Sequence, residues 1–499
     1  MKKWINENIP CFAVVGRVNM GKSAVLATLL EIDDDETIRV SPTPGETTTV
    51  QILPLILDGI ERVRFLDTPG FTRPIDAMKI IQLFAGNRTP NLHDIERFIS
   101  TCAAEFPDEC RLLQPLLQGA GILYIVDPSK PLRDAFLAEM EILRWTGRPR
   151  LALLNHKDES CPDEVDWRNR LGATFNLVRT FNAHQARFDK RLRLLRSLLD
   201  IEEKFRPVLE TSIGLIEHEW EIRQQDSAEI IIDFLESSLQ LRASKTIAAR
   251  ELQLPARKQK LTEMLKKDYY RQLANLEKSA TEKMLRLYRH HLLKADWREH
   301  AYQGLDLESQ ETWQKWGLSR MQLTAAGALT GLLAGGGIDL GTGGLTHGIA
   351  ATIGAITGAG AAYFKGGKLP NLKVSLSGVK LENSENKSLS LGPPGDPNFP
   401  WILLDSILLI HAHILRRTHG RRDQETLNVE GAQHAFSRDF AKEPRAVLQK
   451  WFLSCLKNSP DRGLEPEVFE IIFETLQGFD KEESANRIQI RKHDASGIC

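Results

Sequence analysis

Residues 16–23 read Gly16-Arg17-Val18-Asn19-Met20-Gly21-Lys22-Ser23. They stand between a short apolar run at 11–15 (CFAVV) and a helical pattern at 24–30. GxxxxGK[ST] in that setting leaves little freedom of fold: a buried strand must feed a glycine-bearing loop, and a helix must follow it. Such a loop points main-chain N–H groups at phosphate oxygens. Lys22 brings a point charge to the β and γ oxygens, and Ser23 offers a hydroxyl to Mg2+.

Downstream residues extend the pattern. The run 63–66 (VRFL) reads as a strand that ends at Asp67-Thr68-Pro69-Gly70, and a carboxylate there suits a metal held through water. The Gly70 amide is placed to sense a γ-phosphate. Between the two motifs, Pro44-Gly45-Glu46-Thr47-Thr48-Thr49 is a polar, flexible stretch whose threonines can add a second hydroxyl to the metal. Strands at 50–57 and 61–66 flank Asp58-Gly59, a hairpin turn signal, which predicts one antiparallel edge strand. Strand-length apolar runs at 121–127, 149–155 and 176–181 alternate with helical stretches at 132–145, 164–171 and 185–199. The fold class expected is therefore α/β, a doubly wound sheet with one antiparallel edge. About 48 residues, 71–118, separate the DTPG motif from the next strand. That is more than a loop and one helix need, so an inserted helical piece is expected.

These motifs together resemble the small-GTPase-like P-loop proteins, most closely the Era-like and TrmE-like bacterial branch, over residues 10–200. GRVNMGKS resembles that branch's phosphate loop, which implies nucleotide contacts from Gly16, Asn19, Met20, Gly21, Lys22, Ser23 and Ala24. PGETTT resembles its switch I, with Thr47 the best match to the metal-binding threonine and Thr48 the second. DTPG resembles the start of switch II. Asn155 and Asp158 match the ends of the guanine motif NKxD, where the aspartate accepts from guanine N1 and N2, and Ala183 sits where an amide would meet O6. The resemblance implies hydrolysis of GTP to GDP and phosphate, with Mg2+ on Ser23, Thr47 and Asp67. Lys22, Thr47, Asp67 and Gly70 are the catalytic set so implied. An asparagine at the position of Asn19 helps hold K+ in this branch; here a K+ ligand and a loop-structuring amide both stay open. Two departures stand out. His156 replaces the motif's lysine, whose stem packs on base and phosphate loop, which leaves guanine preference less secure than phosphate binding. Phe71 follows Gly70 where Ras-like enzymes place a water-orienting Gln, which implies slow intrinsic hydrolysis.

The domains expected are a nucleotide domain at 1–203, a helical domain at 204–320, a glycine-rich helical hairpin at 321–367, a small β/linker segment at 368–400 and a helical region at 401–499. Residues 204–320 have few glycines and prolines and apolar residues at three- and four-residue spacing. The basic stretch 187–196 reads as a solvated helix face. Fourteen of the 35 glycines lie within 321–367, several spaced by four, and 321–364 carries one formal charge, Asp339. That spacing lets helix backbones approach closely, as in membrane helix pairs, and 18 and 20 residues per arm are just long enough to span. Membrane insertion and a tightly packed soluble hairpin both remain open. Residues 401–415 form an apolar stretch short for a span, so a core or interfacial helix is expected there.

Lys and Arg total 65 against 66 Asp and Glu, so bulk charge favours neither a nucleic-acid nor an acidic partner. No GxxG loop in a basic βα context gives a specific nucleic-acid signal. Six scattered cysteines without a CxxC pair, and no secretory leader, predict reduced thiols and a cytoplasmic chain, peripheral to or inserted in the inner membrane if the hairpin engages lipid. In organisation the chain resembles bacterial GTPases whose C-terminal domain has no assigned function. The expected function is a nucleotide switch acting on the helical half. The alternatives are a ribosome- or RNA-assembly GTPase and a membrane-inserting structural or pore-forming protein timed by GTP; a homo-oligomer is compatible with each.

Overall fold

The computed structural model describes residues 4–33, 37, 49–157, 161, 163–248, 254–291, 372–378, 386–394, 399–421, 436–438 and 440–479. They divide between two compact units: Met1–Arg223 with Arg289–Leu292 and Leu415–Gln424, and Gln224–Tyr288 with Leu293–Ile414 and Glu425–Cys499. The glycine-rich hairpin expected at 321–367 and the charged tail after 480 lie outside the described residues.

The first unit is built on a six-stranded sheet: β1 (Cys11–Val15), β2 (Gln51–Leu57), β3 (Ile60–Asp67), β4 (Gly121–Val126), β5 (Arg150–Asn155) and β6 (Leu177–Phe181). Its order is β2-β3-β1-β4-β5-β6, and only β2 runs antiparallel to its neighbour. This is the α/β sheet with one antiparallel edge that the sequence predicts. β1 and β4 are buried along their whole length, which is why they read as unbroken apolar runs. β2 alternates instead, with Leu53, Leu55 and Leu57 inward and Ile52 and Ile56 outward. As an edge strand it also tolerates Pro54, which has no N–H to donate. Asp58 and Gly59 both take positive φ, 51° and 72°, the geometry of a two-residue hairpin turn.

Helices α1 (Lys22–Leu30), α2 (Pro74–Ala85), α3 (Leu92–Cys102), α4 (Pro107–Gln118), α5 (Asp134–Trp145), α6 (Glu164–Thr174) and α7 (Phe188–Ile201) complete this layer. Three of them, α2 to α4, fill the long segment between DTPG and β4. Proline opens α2 and α4, where a missing N–H costs nothing. On the basic stretch of α7, Arg193 and Arg196 are exposed as expected, but Arg191 is not. Arg191 is buried, donates Nε to the Leu29 carbonyl at 2.9 Å and pairs with Glu31 at the end of α1.

Helix α8 (Arg206–Gln240) contributes residues to both units. The second unit then holds β7 (Ala243–Ala248), α9 (Pro255–Leu287), β8 (Leu372–Gly378), β9 (Asn386–Pro394), α10 (Phe399–Arg416), α11 (Lys442–Leu456) and α12 (Glu465–Gly478). Residues 204–320, expected to be helical, include the strand β7. Its β-branched Thr246 and Ile247 suit a pleated surface, and its partner β9 lies far along the chain in an antiparallel β7-β9-β8 sheet. Helix α10 is long and apolar enough to cross a membrane by length and composition, with a mean hydropathy of 1.3, yet 78% of that window is buried inside the protein. Several of its polar groups meet protein partners. Trp401 Nε1 donates to Gln449 Oε1 at 2.9 Å, Asp405 accepts from the Ser437 amide and hydroxyl, and His411 Nε2 lies 3.0 Å from the Tyr288 hydroxyl.

Candidate functional site

The phosphate loop leaves the buried end of β1 at Gly16. A Cβ there would lie 2.3 Å from the Ile125 carbonyl oxygen of β4, so only glycine lets the loop pass over the sheet. Gly21 closes the loop at φ 91°, and a Cβ on it would meet Asn155 Nδ2 at 2.2 Å. Lys22 opens α1 and turns its ammonium back over the loop, donating to the carbonyls of Gly16 at 2.9 Å and Arg17 at 3.3 Å. Burial lowers its pKa, while Asp67 and Glu139 oppose that shift. Ser23 is half-buried beside it and Ala24 is buried.

Asp67 ends β3 and is buried. Burial pushes its carboxyl up to about 6, with Lys22 pulling the other way. Its Oδ1 has no hydrogen-bond partner among the described residues. A buried carboxylate oxygen left in this way is costly unless a ligand meets it. Thr68 anchors the following turn by donating to the Val14 carbonyl at 2.7 Å. Gly70 packs on the phosphate loop: a Cβ on it would sit 3.1 Å from the Gly16 carbonyl and 3.3 Å from the Arg17 Cα. Phe71 is buried in the core, so no polar side chain stands at the position after Gly70. Thr47 and Thr48 lie outside the described residues, as does Asp158.

Asn155, at the end of β5, is fully buried and joins two loops. Its Nδ2 donates to the Met20 carbonyl at 3.1 Å and its Oδ1 accepts the Ala183 amide at 3.1 Å. The amide that the resemblance assigns to a base oxygen thus serves the asparagine here. The adjacent His184 amide donates to Asn182 Oδ1 at 2.9 Å. Met20 adds a second tie, since the Asp127 amide approaches its Sδ at 3.3 Å. His156 turns away from the phosphate loop, with Nε2 3.6 Å from Glu164 and Nδ1 3.5 Å from Cys161 Sγ. Lys157 takes the place that the motif's lysine would fill. It donates to the Asn19 carbonyl at 2.5 Å, lies 3.6 Å from the Asp127 carboxylate, and its Cε packs 3.4 Å from where a Gly21 Cβ would be. Lys130 donates to the same Asn19 carbonyl at 3.3 Å.

Two buried glutamates escape sequence reasoning. Glu139 on α5 accepts from the Tyr124 hydroxyl at 2.8 Å and lies 3.5 Å from Arg17 Nε in the phosphate loop. Burial pushes its carboxyl up to about 8, although Tyr124, Arg17 and Lys22 all favour ionisation. The available signal was Tyr124 itself, because a tyrosine in a wholly buried strand needs a partner for its hydroxyl. Glu109 on α4 accepts the Thr72 amide at 2.9 Å and the Arg73 amide at 2.5 Å, capping the head of α2 just after the DTPG turn.

A parallel sheet with a lysine-bearing phosphate loop after its first strand and a carboxylate at the end of the neighbouring strand defines a P-loop GTPase. Residues 11–156 match the family model described as a 50S ribosome-binding GTPase, which marks this part of the chain as a GTPase domain. Residues 168–467 match the model described as a domain of unknown function, DUF3482, and the chain belongs to that family. Among solved structures, the chain is similar to Era in complex with MgGDPNP and a 16S ribosomal RNA segment at 18% identity, over 36% of this chain and 52% of that one, with a TM-score of 0.25. It is similar to Aquifex aeolicus Era bound to GDP and aluminium fluoride at 15% identity, over 48% and 72%, with a TM-score of 0.24. A variant of SsGBP matches at 17% identity over 38% and 56%, with a TM-score of 0.23. The chain spans about half the length of the first of these.

Proposed function

We propose that the protein is a Mg2+-dependent guanine-nucleotide switch whose GTPase domain acts on its own DUF3482 region. The observation that carries this reading is the convergence of Lys22, Asp67 and Gly70 on the phosphate loop, with Asn155 joining that loop to the base side. Ser23, Asp67 and Thr47 are the hard oxygen donors that suit Mg2+, and the unpartnered Asp67 Oδ1 fits such a group. When bound, Mg2+ would neutralise charge developing on the β and γ oxygens. Lys22 carries charge to those same oxygens, and the Gly70 amide distinguishes the two nucleotide states through its packing on the loop. Asn155 and Asp158 are the guanine-side residues. Buried Phe71 offers no group to orient a water molecule, so intrinsic turnover is slow. Asn19 is the residue through which K+ would accelerate it.

Titration of the full chain with fluorescent GDP and a non-hydrolysable GTP analogue tests the reading. Micromolar or tighter binding that Lys22→Ala abolishes is expected; retained binding in that variant would sink the site. Phosphate release compared in K+ and Na+ buffers reads the Asn19 role, and equal rates would remove it.

A further inference from the structure

The GTPase unit is not complete at the end of α7. It includes two short pieces of chain from far downstream, 289–292 and 415–424. Of their described residues, Gly420 packs against α1, the helix that begins with Lys22, and 289–291 pack against the residues that follow that helix.

Gly420 makes the closest approach. A Cβ added to it would lie 2.8 Å from the Ala24 carbonyl, 2.8 Å from the Thr28 hydroxyl and 3.0 Å from the Ala183 carbonyl. All three distances fall below or at the limit for a real side chain, and two of the three neighbours are main chain. The Ala183 carbonyl also accepts the Thr28 hydroxyl at 2.9 Å, while the Ala183 amide is held by Asn155. The loop after β6 is therefore pinned through one residue: from the front by Asn155, from behind by Thr28, with Gly420 seated where no side chain fits. The turn that presents Gly420 is closed by the Arg421 amide on the Thr418 carbonyl at 3.2 Å, and Thr418 and His419 are buried.

The far end of α1 is held by the same two pieces. The His419 ring stacks on His290 with centroids 4.3 Å apart, and the His291 amide donates to Asp33 at 2.7 Å. Asp33 is the last described residue before 34–36, on the way to the switch I motif.

We propose that the 417–421 turn is a positioning element of the nucleotide site, with Gly420 setting the distance between α1 and the base loop at Ala183. The inference rests on the guanine-nucleotide reading above. Guanine preference then depends on residues of the DUF3482 region that touch no part of the nucleotide. A methyl group at 420 forces a shift among the turn, α1 and the base loop, and a base loop shifted in this way alters base recognition more than phosphate recognition.

The test uses the full chain and calorimetric affinities for GDP, ADP and inorganic pyrophosphate. Gly420→Val is expected to weaken GDP by about tenfold, the factor one displaced hydrogen bond carries, to narrow the GDP-to-ADP ratio and to leave pyrophosphate within about threefold. Gly420→Ala should move the same way by less. Thr28→Val, nearly isosteric, removes the hydroxyl from the same carbonyl and should also narrow the ratio, so the idea stays testable if Gly420→Val does not fold. An unchanged GDP-to-ADP ratio in the folded variants, or equal losses for GDP and pyrophosphate, would overturn the proposal. Failure of the unaltered chain to bind GDP would overturn the nucleotide reading, and this inference with it.

Discussion

Lys157 donates its ammonium group to the main-chain carbonyl of Asn19 at 2.5 Å, joining the loop after β5 to the phosphate loop. The lysine missing from the third-to-last place of the NHKD motif is present one residue later. Its neighbour His156 faces Glu164 and Cys161 instead. Lys157→Ala should therefore weaken GDP binding by about ten- to a hundredfold, in line with losing a hydrogen bond to a charged group worth roughly 1.5–3 kcal/mol. His156→Ala should change it by less than about threefold. Titration with fluorescent GDP checks both, and the reverse ranking would return the role to His156.

Two carboxyls make stability fall as pH rises. Asp67 is pushed up to about 6 and Glu139 to about 8, both by burial. Their folded-state values lie above the unfolded ones, so the folded state binds more protons and their contribution is complete only below about pH 4. It is lost as pH climbs through about 6 and then about 8. The thermal midpoint of the nucleotide-free protein should drop between pH 5 and 8, and Glu139→Gln should flatten the upper part of that profile. Parallel profiles for the two proteins would count against the assignment.

The head of α2 depends on Glu109, whose carboxylate takes the amides of Thr72 and Arg73. Removing a helix cap costs about 1 kcal/mol, with a range of roughly 0.5–2. Glu109→Ala should lose about that much in urea unfolding, and hydrogen exchange at Thr72 and Arg73 should quicken before exchange in β3 does. Unchanged exchange at these two amides would show that the cap is dispensable.

Arg191 and Glu31 form a buried pair, joined by Arg223 at 3.0 Å from the same carboxylate. Burial favours the neutral acid, but the two guanidinium groups prevail and hold Glu31 below the usual carboxylate range. The stability it contributes is present at neutral pH and lost on acidification. Arg191→Ala should destabilise by about 3 kcal/mol because it leaves a buried charge short of a partner. Combining Arg191→Met with Glu31→Gln should recover part of the loss in the same denaturation assay.

β1, β4 and β5 were legible because they are buried on both faces and so are written as continuous apolar runs. β2 was legible through its turn, since Asp58-Gly59 tolerates the positive φ that the hairpin needs. The glycines and Lys22 of the phosphate loop were legible because close main-chain packing admits few residue types. Glu31, Glu109, Glu139 and Arg191 were not. In sequence Glu109, Glu139 and Arg191 are charges on helices and Glu31 a charge just past one, indistinguishable from solvated ones, and only tertiary packing buries them. β7 was hidden for a similar reason: its partner β9 lies far downstream, beyond the reach of local patterning. The role of Lys157 is not legible in sequence, because the motif places its lysine one residue earlier and only the folded loop brings the Lys157 ammonium to the Asn19 carbonyl.

The turn at Thr418–Arg421 also bears on how the protein is made. A ribosome releases its product from the N-terminus, so β1 to α7 emerge while roughly 220 residues between Ile201 and Arg421 are still to be translated. At about 5–20 residues per second that interval is roughly 10–40 s. Throughout it the nascent chain carries a phosphate loop whose rear support does not yet exist. The order of synthesis thus separates possession of the GTPase motifs from possession of the finished enzyme.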